Sequence, residues 1–360
     1  MESRSTRKRT IRLVSRTFQQ RKKEVSKEMK GLSYEVTANP FHVKMRDVAG
    51  VAVDSQDNIY YTTRNMSGDP AGVMVHDPEG GYLYGFGGGI LRNPHGICVD
   101  CDDNVLVTDA IRNCVFKFSK TGELLMTIGT PDAKTSTGCL NYDFKTVKAA
   151  GGPFGHPAKI DTTAEGEIYV ADGYGNCCVH HFAKDGRLLH SWGNPGSAPG
   201  AFNILHGIGV DRETNDVYVC DRENFRVQVF TADGELKAVW NDIWRPTDVA
   251  IQNGLVYVSE IGDMIFVDNV LFTPGGSEHK HFSRVRIFDK QGRALEQIGG
   301  PDGGAPGSFL AAHGLCLDSR SNLYVAEVSI PWADVWTAYP DGNGMTSQQH
   351  NLLQKFTPGA

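Results

Sequence analysis

A short sequence pattern recurs six times along the chain, and this repetition constrains the fold more than any other feature. Each copy starts with a small residue or a histidine, continues as an alternating apolar segment, turns, and ends a second apolar segment near Asp or Glu. The copies are AGVAVDSQDNIYYTTR (49–64), HGICVDCDDNVLVTDA (95–110), AKIDTTAEGEIYVADGY (158–174), HGIGVDRETNDVYVCDRE (206–223), TDVAIQNGLVYVSE (247–260) and HGLCLDSRSNLYVAE (313–327). A recurring unit of this kind predicts a ring or an array of equivalent structural units.

Most copies are followed by two further apolar segments that are joined by a glycine turn. They are VFKFSKTGELLMTIG (115–129), VHHFAKDGRLLHSWG (179–193), VQVFTADGELKAVW (227–240) and VRIFDKQGRALEQIG (285–299). Alternation with a period of two around such turns is the pattern of β-hairpins. Four antiparallel strands in each of six repeats predict an all-β fold, a six-bladed β-propeller.

The two ends of the chain are expected to meet in one blade. The last copy has a third strand at 352–356 and the sequence stops at residue 360 without a fourth. The segment 32–38, LSYEVTA, is predicted to supply this outer strand and to cover an edge that would otherwise be exposed. We therefore divide the chain into a basic, flexible N-terminal leader at 1–30 and a propeller at 31–360.

Charge is distributed unevenly between these two parts. Residues 1–30 carry eleven basic and three acidic residues, a net charge of +8, so the remaining residues carry −14 of the total of −6. An acidic body argues against a nucleic-acid groove. The leader is predicted to be solvated or weakly helical, with binding to phosphate or membrane surfaces and a transit peptide as open alternatives.

The chain shows neither a membrane span nor a secretory signal. No apolar stretch reaches the ~20 residues needed to cross a bilayer, and the N-terminus lacks the apolar core of a signal peptide. The eight cysteines mostly occupy apolar strand positions, which predicts free thiols. We expect a soluble, cytoplasmic protein that takes a small molecule or a short peptide and binds neither nucleic acid nor membranes.

Histidine opens every second copy of the repeat. The opening residues, in order, are Ala49, His95, Ala158, His206, Thr247 and His313. Alternate blades of a six-bladed ring lie about 120° apart, so three imidazoles are expected to converge on the axis. Three nitrogen ligands with an open fourth position are typical of catalytic zinc, whereas histidines that only bond the backbone are the alternative. His156 lies two residues out of phase and is left out of this set.

The second strand of each copy should end on the same face as the histidines, because it runs antiparallel to the first. Arg64 ends this strand in the first copy, while Tyr174 and Arg222 follow it in the third and fourth copies. All three side chains are expected to point toward the metal. A structural ion pair for either arginine, or simple channel lining for the tyrosine, stays open.

The repeats resemble NHL repeats, and residues 32–360 are similar to the peptidylglycine α-hydroxyglycine amidating lyase family. The motifs NPHGICVD (93–100), VADGYGN (170–176) and CDRENFRVQVF (220–230) carry this resemblance. It implies one catalytic zinc on the three histidines and a catalytic or substrate-contacting role for the matches to Arg64, Tyr174 and Arg222. It also implies carbon-nitrogen lyase activity that cleaves an N-acyl-α-hydroxyglycine to an amide and glyoxylate. In that reaction Tyr174 would serve as base, with Arg64 or the metal nearby, and Arg222 would clamp the substrate carboxylate.

The chain departs from this family in several places. Gly314 stands where the family has an acidic residue that contributes to a central calcium, and Ala311 replaces a methionine. These differences argue against calcium, which stays an open alternative as a second ion. The disulfide pattern and the secretory signal of the family are also not recognisable, which argues against peptide-hormone processing.

Three insertions, at 130–155, 261–283 and 328–351, interrupt the repeats and are expected on the histidine face. Aromatic residues within them predict a lid that excludes water and binds an apolar acyl group, namely Phe266, Trp332 and Trp336. Packing of the loops against each other is the alternative.

Two other functions remain compatible with the sequence. One is a metal-dependent hydrolase or dealkylating lyase that acts on another hydroxylated or ester small molecule, because a fold does not determine a reaction. The other is a non-catalytic NHL-repeat scaffold. The sequence does not indicate the oligomeric state.

Overall fold

Six four-stranded antiparallel sheets form a ring, which confirms the predicted six-bladed β-propeller. The computed structural model describes residues 32–37, 41, 48–64, 72–262, 265–267, 270–272, 282–300, 306–328 and 352–359. The innermost strand of each blade contacts the innermost strands of both neighbouring blades. The first residues of the sequence copies therefore lie around a common axis.

The first three blades follow the order of the sequence from the axis outward. Their strands are β2 (Val48–Val53), β3 (Ile59–Thr63), β4 (Gly72–His76) and β5 (Tyr82–Phe86); β6 (Pro94–Val99), β7 (Val105–Asp109), β8 (Cys114–Phe118) and β9 (Leu124–Ile128); and β10 (Pro157–Thr162), β11 (Ile168–Asp172), β12 (Cys178–Phe182) and β13 (Leu188–Trp192).

Blades four to six repeat this arrangement, except that the last blade takes its outer strand from the N-terminal part of the chain. Their strands are β14 (Leu205–Val210), β15 (Val217–Asp221), β16 (Arg226–Phe230) and β17 (Leu236–Asn241); β18 (Pro246–Gln252), β19 (Leu255–Glu260), β22 (Arg284–Asp289) and β23 (Ala294–Ile298); and β24 (Ala312–Leu317), β25 (Leu323–Glu327), β26 (Leu353–Pro358) and β1 (Tyr34–Thr37). A hairpin of β20 (Ile265–Val267) and β21 (Val270–Phe272) lies between β19 and β22.

The pairing of β1 with β26 confirms that the two ends of the chain close the ring in one blade. The register runs from Tyr34 opposite Pro358 to Thr37 opposite Lys355. The Tyr34 hydroxyl also lies 3.0 Å from the hydroxyl of Tyr257 in blade five. The segment 32–37 thus covers the outer edge of β26 and contacts the preceding blade.

Helical structure is confined to two 3₁₀ turns in the described part of the chain, Phe144–Thr146 and Arg222–Asn224. No helix among the described residues is long and apolar enough to cross a membrane. All eight cysteines are free thiols, as the sequence predicted.

The Asp that follows the first strand in most copies holds the first turn of the blade. In blade one, the Asp54 Oδ1 accepts hydrogen bonds from the backbone N–H groups of Gln56 and Asn58, both at 2.9 Å. Asp100 and Asp318 make the same pair of contacts in blades two and six. A short side chain that bonds its own turn is the usual reason for Asp at such a position.

A register shift at the start of each blade turns the opening residue out of the strand ladder. In blade two, Pro94 pairs with Asp109, and the next pair is Ile97 with Val107. Similar shifts occur in the other five blades. A bulge changes the direction of a side chain locally, which accounts for His95 pointing to the axis.

The glycine after each of the three histidines allows adjacent inner strands to approach closely. A Cβ atom on Gly207 would lie 2.7 Å from both the Thr247 carbonyl oxygen and the Asp248 Cα. Gly96 and Gly314 are equally crowded against the next blade. Backbone packing between blades therefore requires the glycine of each His-Gly pair.

The Gly207→Ala substitution is expected to destabilise the fold by about 1–3 kcal/mol, because the added methyl group forces β14 away from β18. Chemical denaturation measures this loss. Gly152→Ala is the matched control, since a Cβ there would meet nothing within 4 Å. Equal stability of the two variants would contradict the packing explanation.

Candidate metal centre

Three buried imidazoles meet on the propeller axis. His95, His206 and His313 each offer a ligand atom, and these atoms all lie within 4.8 Å of one another. The ring centroids are 4.6, 4.8 and 5.1 Å apart. They come from β6, β14 and β24, the innermost strands of blades two, four and six.

The second nitrogen of each ring is committed to the neighbouring blade. The Nδ1 atoms of His95, His206 and His313 lie 2.7 Å from the carbonyl oxygens of Ala158, Thr247 and Ala49. A carbonyl oxygen only accepts, so each Nδ1 carries the proton and each Nε2 presents a lone pair to the axis. The small residues that open the odd-numbered copies thus supply the carbonyl groups that orient the histidines, as second-shell partners of metal ligands do.

The surroundings hold all three imidazoles in the neutral form. Burial lowers the pKa of His95 and His206 well below the usual value, and the neighbouring His313 adds to both effects. Burial, followed by the positive charge of Arg64, lowers the pKa of His313 to about 3. Neutral imidazole is the form that binds metal ions.

Tyr174 lies directly above two of the three ligand atoms. Its hydroxyl oxygen is 2.9 Å from the Nε2 of His95 and 2.7 Å from the Nε2 of His206. The phenol has one proton and can donate to only one of these two lone pairs, so the other nitrogen faces an oxygen lone pair at close range. A cation among these donors removes that repulsion. The residues therefore fit a metal with three nitrogen ligands and an open position, the arrangement of catalytic zinc.

The two predicted arginines lie around this centre in different environments. Arg64 follows β3, is half-buried, and its charge contributes to the lowered pKa of His95 and His313. The guanidinium carbon of Arg222 lies 5.7 Å from the centre of the Tyr174 ring. Arg222 also forms an ion pair, but with Glu223 at 2.9 Å, since the Asp221 that ends β15 pairs with Arg226.

Two charged residues that the sequence analysis missed, Glu223 and Arg245, complete the wall beside Tyr174. The Glu223 Oε1 accepts from the Nε of Arg222 at 2.9 Å and from the terminal nitrogen of Arg245 at 2.8 Å. Although burial opposes it, the charges of Arg222 and Arg245 lower the pKa of Glu223. Arg245 precedes the opening residue of blade five by two positions, and a half-buried arginine in a loop has no motif that would have singled it out.

A buried ion pair occupies the axis next to the histidines. Lys159 and Asp248 follow the opening residues of blades three and five, and the Lys159 Nζ lies 2.6 Å from the Asp248 Oδ2. The same oxygen accepts the backbone N–H of Leu315 in blade six at 3.0 Å. Although burial opposes it, the Asp248 carboxylate raises the pKa of Lys159, so this residue is a fixed positive charge.

The predicted lid is described only in part. In the insertion at 130–155, the Thr137 hydroxyl donates to the carbonyl of Gly175, the residue after Tyr174, so this loop borders the centre. Phe266 belongs to β20, but its side chain lies outside the described part of the structure. Trp332 and Trp336 also fall outside the described residues. His156 lies near this rim, where its ring stacks on Tyr142 at 3.8 Å.

The metal-free protein is expected to lose stability as the pH falls below about 6.5. The pKa of each of the three imidazoles is lower in the fold than the usual 6.5 of the unfolded chain, so the unfolded state binds more protons in this range. Stability is therefore fully present above pH 6.5 and declines toward about pH 3, where His313 titrates. Each such histidine contributes about 1.4 kcal/mol per pH unit to the slope of the free energy of unfolding against pH.

Urea denaturation of chelator-treated protein between about pH 6 and pH 4 measures this slope. In the His313→Gln variant, the slope of the free energy of unfolding against pH should be smaller by about 1.4 kcal/mol per pH unit. His190→Gln, on the outer strand β13, is the control with an equal number of histidines. An unchanged slope in the His313 variant would contradict the expectation.

Comparison with known proteins confirms the resemblance to NHL-repeat proteins and amidating lyases. A family profile described as "NHL repeat" matches residues 91–118, 154–182 and 202–230. "NHL repeat-containing protein 3" of Homo sapiens is 32% identical over 203 residues, which cover 53% of this chain and 54% of that protein. "Peptidyl-alpha-hydroxyglycine alpha-amidating lyase 1" of Drosophila melanogaster is 26% identical over 270 residues, or 71% of this chain and 47% of that protein. The chain thus spans about half the length of these relatives.

Solved structures share the architecture at low sequence identity. A chain described as "Streptogramin B lyase structure" superposes with a TM-score of 0.56 and 11% identity, covering 91% of this chain and 98% of that one. A gluconolactonase from Xanthomonas campestris superposes with a TM-score of 0.55 and 12% identity, covering 91% and 95%. These similarities show the propeller fold.

Proposed function

We propose that this NHL-repeat propeller is a zinc-dependent lyase that cleaves the C–N bond of an N-acyl-α-hydroxyglycine-type carbinolamide to an amide and glyoxylate. The observation that carries the proposal is the set of three neutral imidazoles whose Nδ1 protons are all committed to backbone carbonyls. The similarity to proteins named amidating lyases supports the reaction class.

His95, His206 and His313 would hold the zinc ion through their Nε2 atoms. When bound, the ion supplies a Lewis acid for the hydroxyl or carboxylate oxygens of the substrate. Gly314 offers no carboxylate beside the third histidine, and the Asp248 carboxylate is already paired with Lys159, so we expect one zinc and no calcium per chain.

The charges around the centre suit a carboxylate. Arg64, Arg222 and Arg245 bring three positive charges to the surroundings of the centre, and Glu223 pairs with Arg222 and Arg245. An arginine in a partly buried site binds a carboxylate through two parallel hydrogen bonds. Glu223 holds two of these guanidinium groups in place, so that part of the wall is ordered before substrate enters.

Tyr174 is placed to move the proton that the reaction requires. A carbinolamide breaks its C–N bond when its hydroxyl loses a proton and its amide nitrogen gains one. The Tyr174 phenol would first lose its own proton to solvent; as phenolate it would then take the substrate's hydroxyl proton and return a proton to the departing nitrogen, so the phenolate is regenerated. The guanidinium carbon of Arg222, 5.7 Å from the centre of the Tyr174 ring, brings a positive charge next to this residue.

Metal analysis and product analysis together test this function. Protein purified without chelator should contain about one zinc per chain. With α-hydroxyhippurate as substrate, it should release benzamide and glyoxylate in equal amounts. Protein that carries zinc at the histidines but releases no glyoxylate would rule out the lyase reaction.

A metal-dependent hydrolase or dealkylating lyase is the second candidate, because Gly314 and Ala311 change the surroundings of the third histidine relative to the amidating lyases. It would retain the zinc and yield other products. A non-catalytic scaffold is the third candidate, in keeping with the relative named only for its repeats. Tight zinc binding at the three histidines would count against it.

We further propose a small molecule or short peptide as substrate and the cytoplasm as the site of action. Eight free thiols are typical of a reducing compartment. The oligomeric state does not enter the proposal, because all the residues of the centre come from one chain.

A further inference from the structure

Blade three contains a chain of three polar side chains that the metal centre does not use. Ser191, His180 and Asp172 lie on β13, β12 and β11, three adjacent strands. The Ser191 Oγ is 2.7 Å from the His180 Nδ1, and the His180 Nε2 is 3.2 Å from the Asp172 Oδ2. We propose that these hydrogen bonds make Ser191 a nucleophile for activated acyl and phosphonyl compounds. Ser191 would then be a second reactive site, on the outer strand of the blade.

The direction of the proton chain follows from the hydrogen-bonding groups. A carboxylate only accepts, so the contact with Asp172 requires a proton on the His180 Nε2. In neutral imidazole the Nδ1 is then an acceptor, and Ser191 must donate its hydroxyl proton to it. The order is therefore hydroxyl to imidazole to carboxylate, which is the arrangement that activates a serine in hydrolases.

The Asp172 carboxylate is held in place by several hydrogen bonds. Asp172 is fully buried and accepts hydrogen bonds from the backbone N–H of Gly155 at 2.8 Å and from the side-chain amide of Asn176 at 2.8 Å. Phe154 packs edge-on against the His180 ring, with centroids 5.5 Å apart. The imidazole is thus fixed in position between the acid and the serine.

The other blades show that this position usually has a different role. In blades four and six it is occupied by Gln228 and Gln354, which bond the acid that ends strand two and also a carbonyl of the loop before the blade. In blade three Asn176 makes the loop contacts instead, bonding both the N–H and the carbonyl of Gly151. His180 is therefore free of this structural task and turns its second nitrogen to Ser191.

Ser191 is exposed, whereas the His180 imidazole that would accept its proton is buried. Ser191 lies on the outermost strand and sits directly opposite His180 in the strand register. His180 and Asp172 have 0% exposed side chains. Ser191 is therefore open to a reagent at the surface, while the imidazole that accepts its proton is shielded from solvent.

The reaction forms two bonds, from the Ser191 Oγ to the reagent and from the His180 Nδ1 to the proton, and breaks two, the hydroxyl O–H bond and the bond to the leaving group. The Ser191 Oγ attacks the carbonyl carbon or the phosphorus of the reagent, its proton passes to the His180 Nδ1, and a stable leaving group such as fluoride or a phenolate departs. The imidazolium that results is paired with the Asp172 carboxylate. The product is an ester or a phosphonate ester of Ser191.

A fluorophosphonate reagent tests this proposal on the full chain. Intact-protein mass and peptide mapping give the rate at which each serine is modified. We expect Ser191 to react at least about 100-fold faster than Ser55, which is also exposed but donates directly to the Asp103 carboxylate without an imidazole. Equal rates at the two serines, or no adduct at Ser191, would overturn the proposal.

Two substitutions of His180 show whether the imidazole activates Ser191 or whether the exposure of Ser191 alone explains its modification. His180→Gln copies the residue of blades four and six, so the blade should fold, and modification of Ser191 should slow at least about 100-fold. His180→Phe, which copies Phe116 of blade two, is the second variant if the first is unstable. An unchanged rate in the folded variant would show that the imidazole plays no part. Chelator treatment should leave the rate unchanged, whereas a metal-dependent rate would assign the labelling to the axial centre.

Discussion

Replacing His206 by alanine is expected to lower the zinc content from about one per chain to below about 0.1. The variant loses one of three nitrogen ligands, and the remaining two cannot hold the ion in competition with a chelator. Turnover of α-hydroxyhippurate should fall at least about 1000-fold, because the Lewis acid supplies several kcal/mol and each 1.36 kcal/mol is a factor of ten. Elemental analysis and the glyoxylate assay measure the two effects on the same sample.

His156→Ala is the matched control for this experiment. His156 lies on the same rim, but its Nδ1 bonds the Ala110 carbonyl and its ring stacks on Tyr142. Its removal should leave the zinc content near one per chain. Zinc retained by the His206 variant, or full turnover without zinc, would exclude the proposed centre.

Tyr174→Phe should lower kcat about 100- to 10,000-fold while the zinc content stays near one per chain. The substitution removes only the hydroxyl group that lies against His95 and His206, and it leaves the ring beside Arg222. A group that transfers a proton in the transition state acts on kcat rather than on KM. Steady-state kinetics with metal analysis therefore separate proton transfer from metal binding.

Tyr142→Phe provides the control, since Tyr142 is an exposed tyrosine of the insertion at 130–155 and its ring stacks on the rim histidine His156. It should retain the wild-type kcat. If Tyr174→Phe instead raised KM alone, the phenol would bind substrate and another group would move the proton. Loss of zinc in this variant would make Tyr174 part of the metal site.

The position of the histidines could be predicted because each copy of the repeat follows the same local rules. Alternation places the strands, the Asp after strand one closes the turn, and the glycine after each histidine allows close approach of the next blade. Equivalent positions of a ring must face the same axis, so the order of His95, His206 and His313 among the copies was enough to expect their convergence.

The residues that surround the centre could not be predicted in the same way. Glu223 and Arg245 lie on different blades and meet only because β15 and β18 are neighbours in the ring. The pair of Lys159 and Asp248 joins positions 89 residues apart. A charged side chain in a loop or at a strand start has no periodic signal, and its partner is set by the way the blades pack.

Sequence alone determined the number of blades, the closure of the ring by a strand within 32–38, and the face that carries the histidines. These properties follow from repeated short-range interactions, which each copy of the repeat contains in full. Only the tertiary structure decided the protonation of the imidazoles, the contact of Tyr174 with two of them, and the chain from Ser191 to Asp172. These depend on distances between atoms of different strands and blades, and such distances are set when the inner strands pack around the axis.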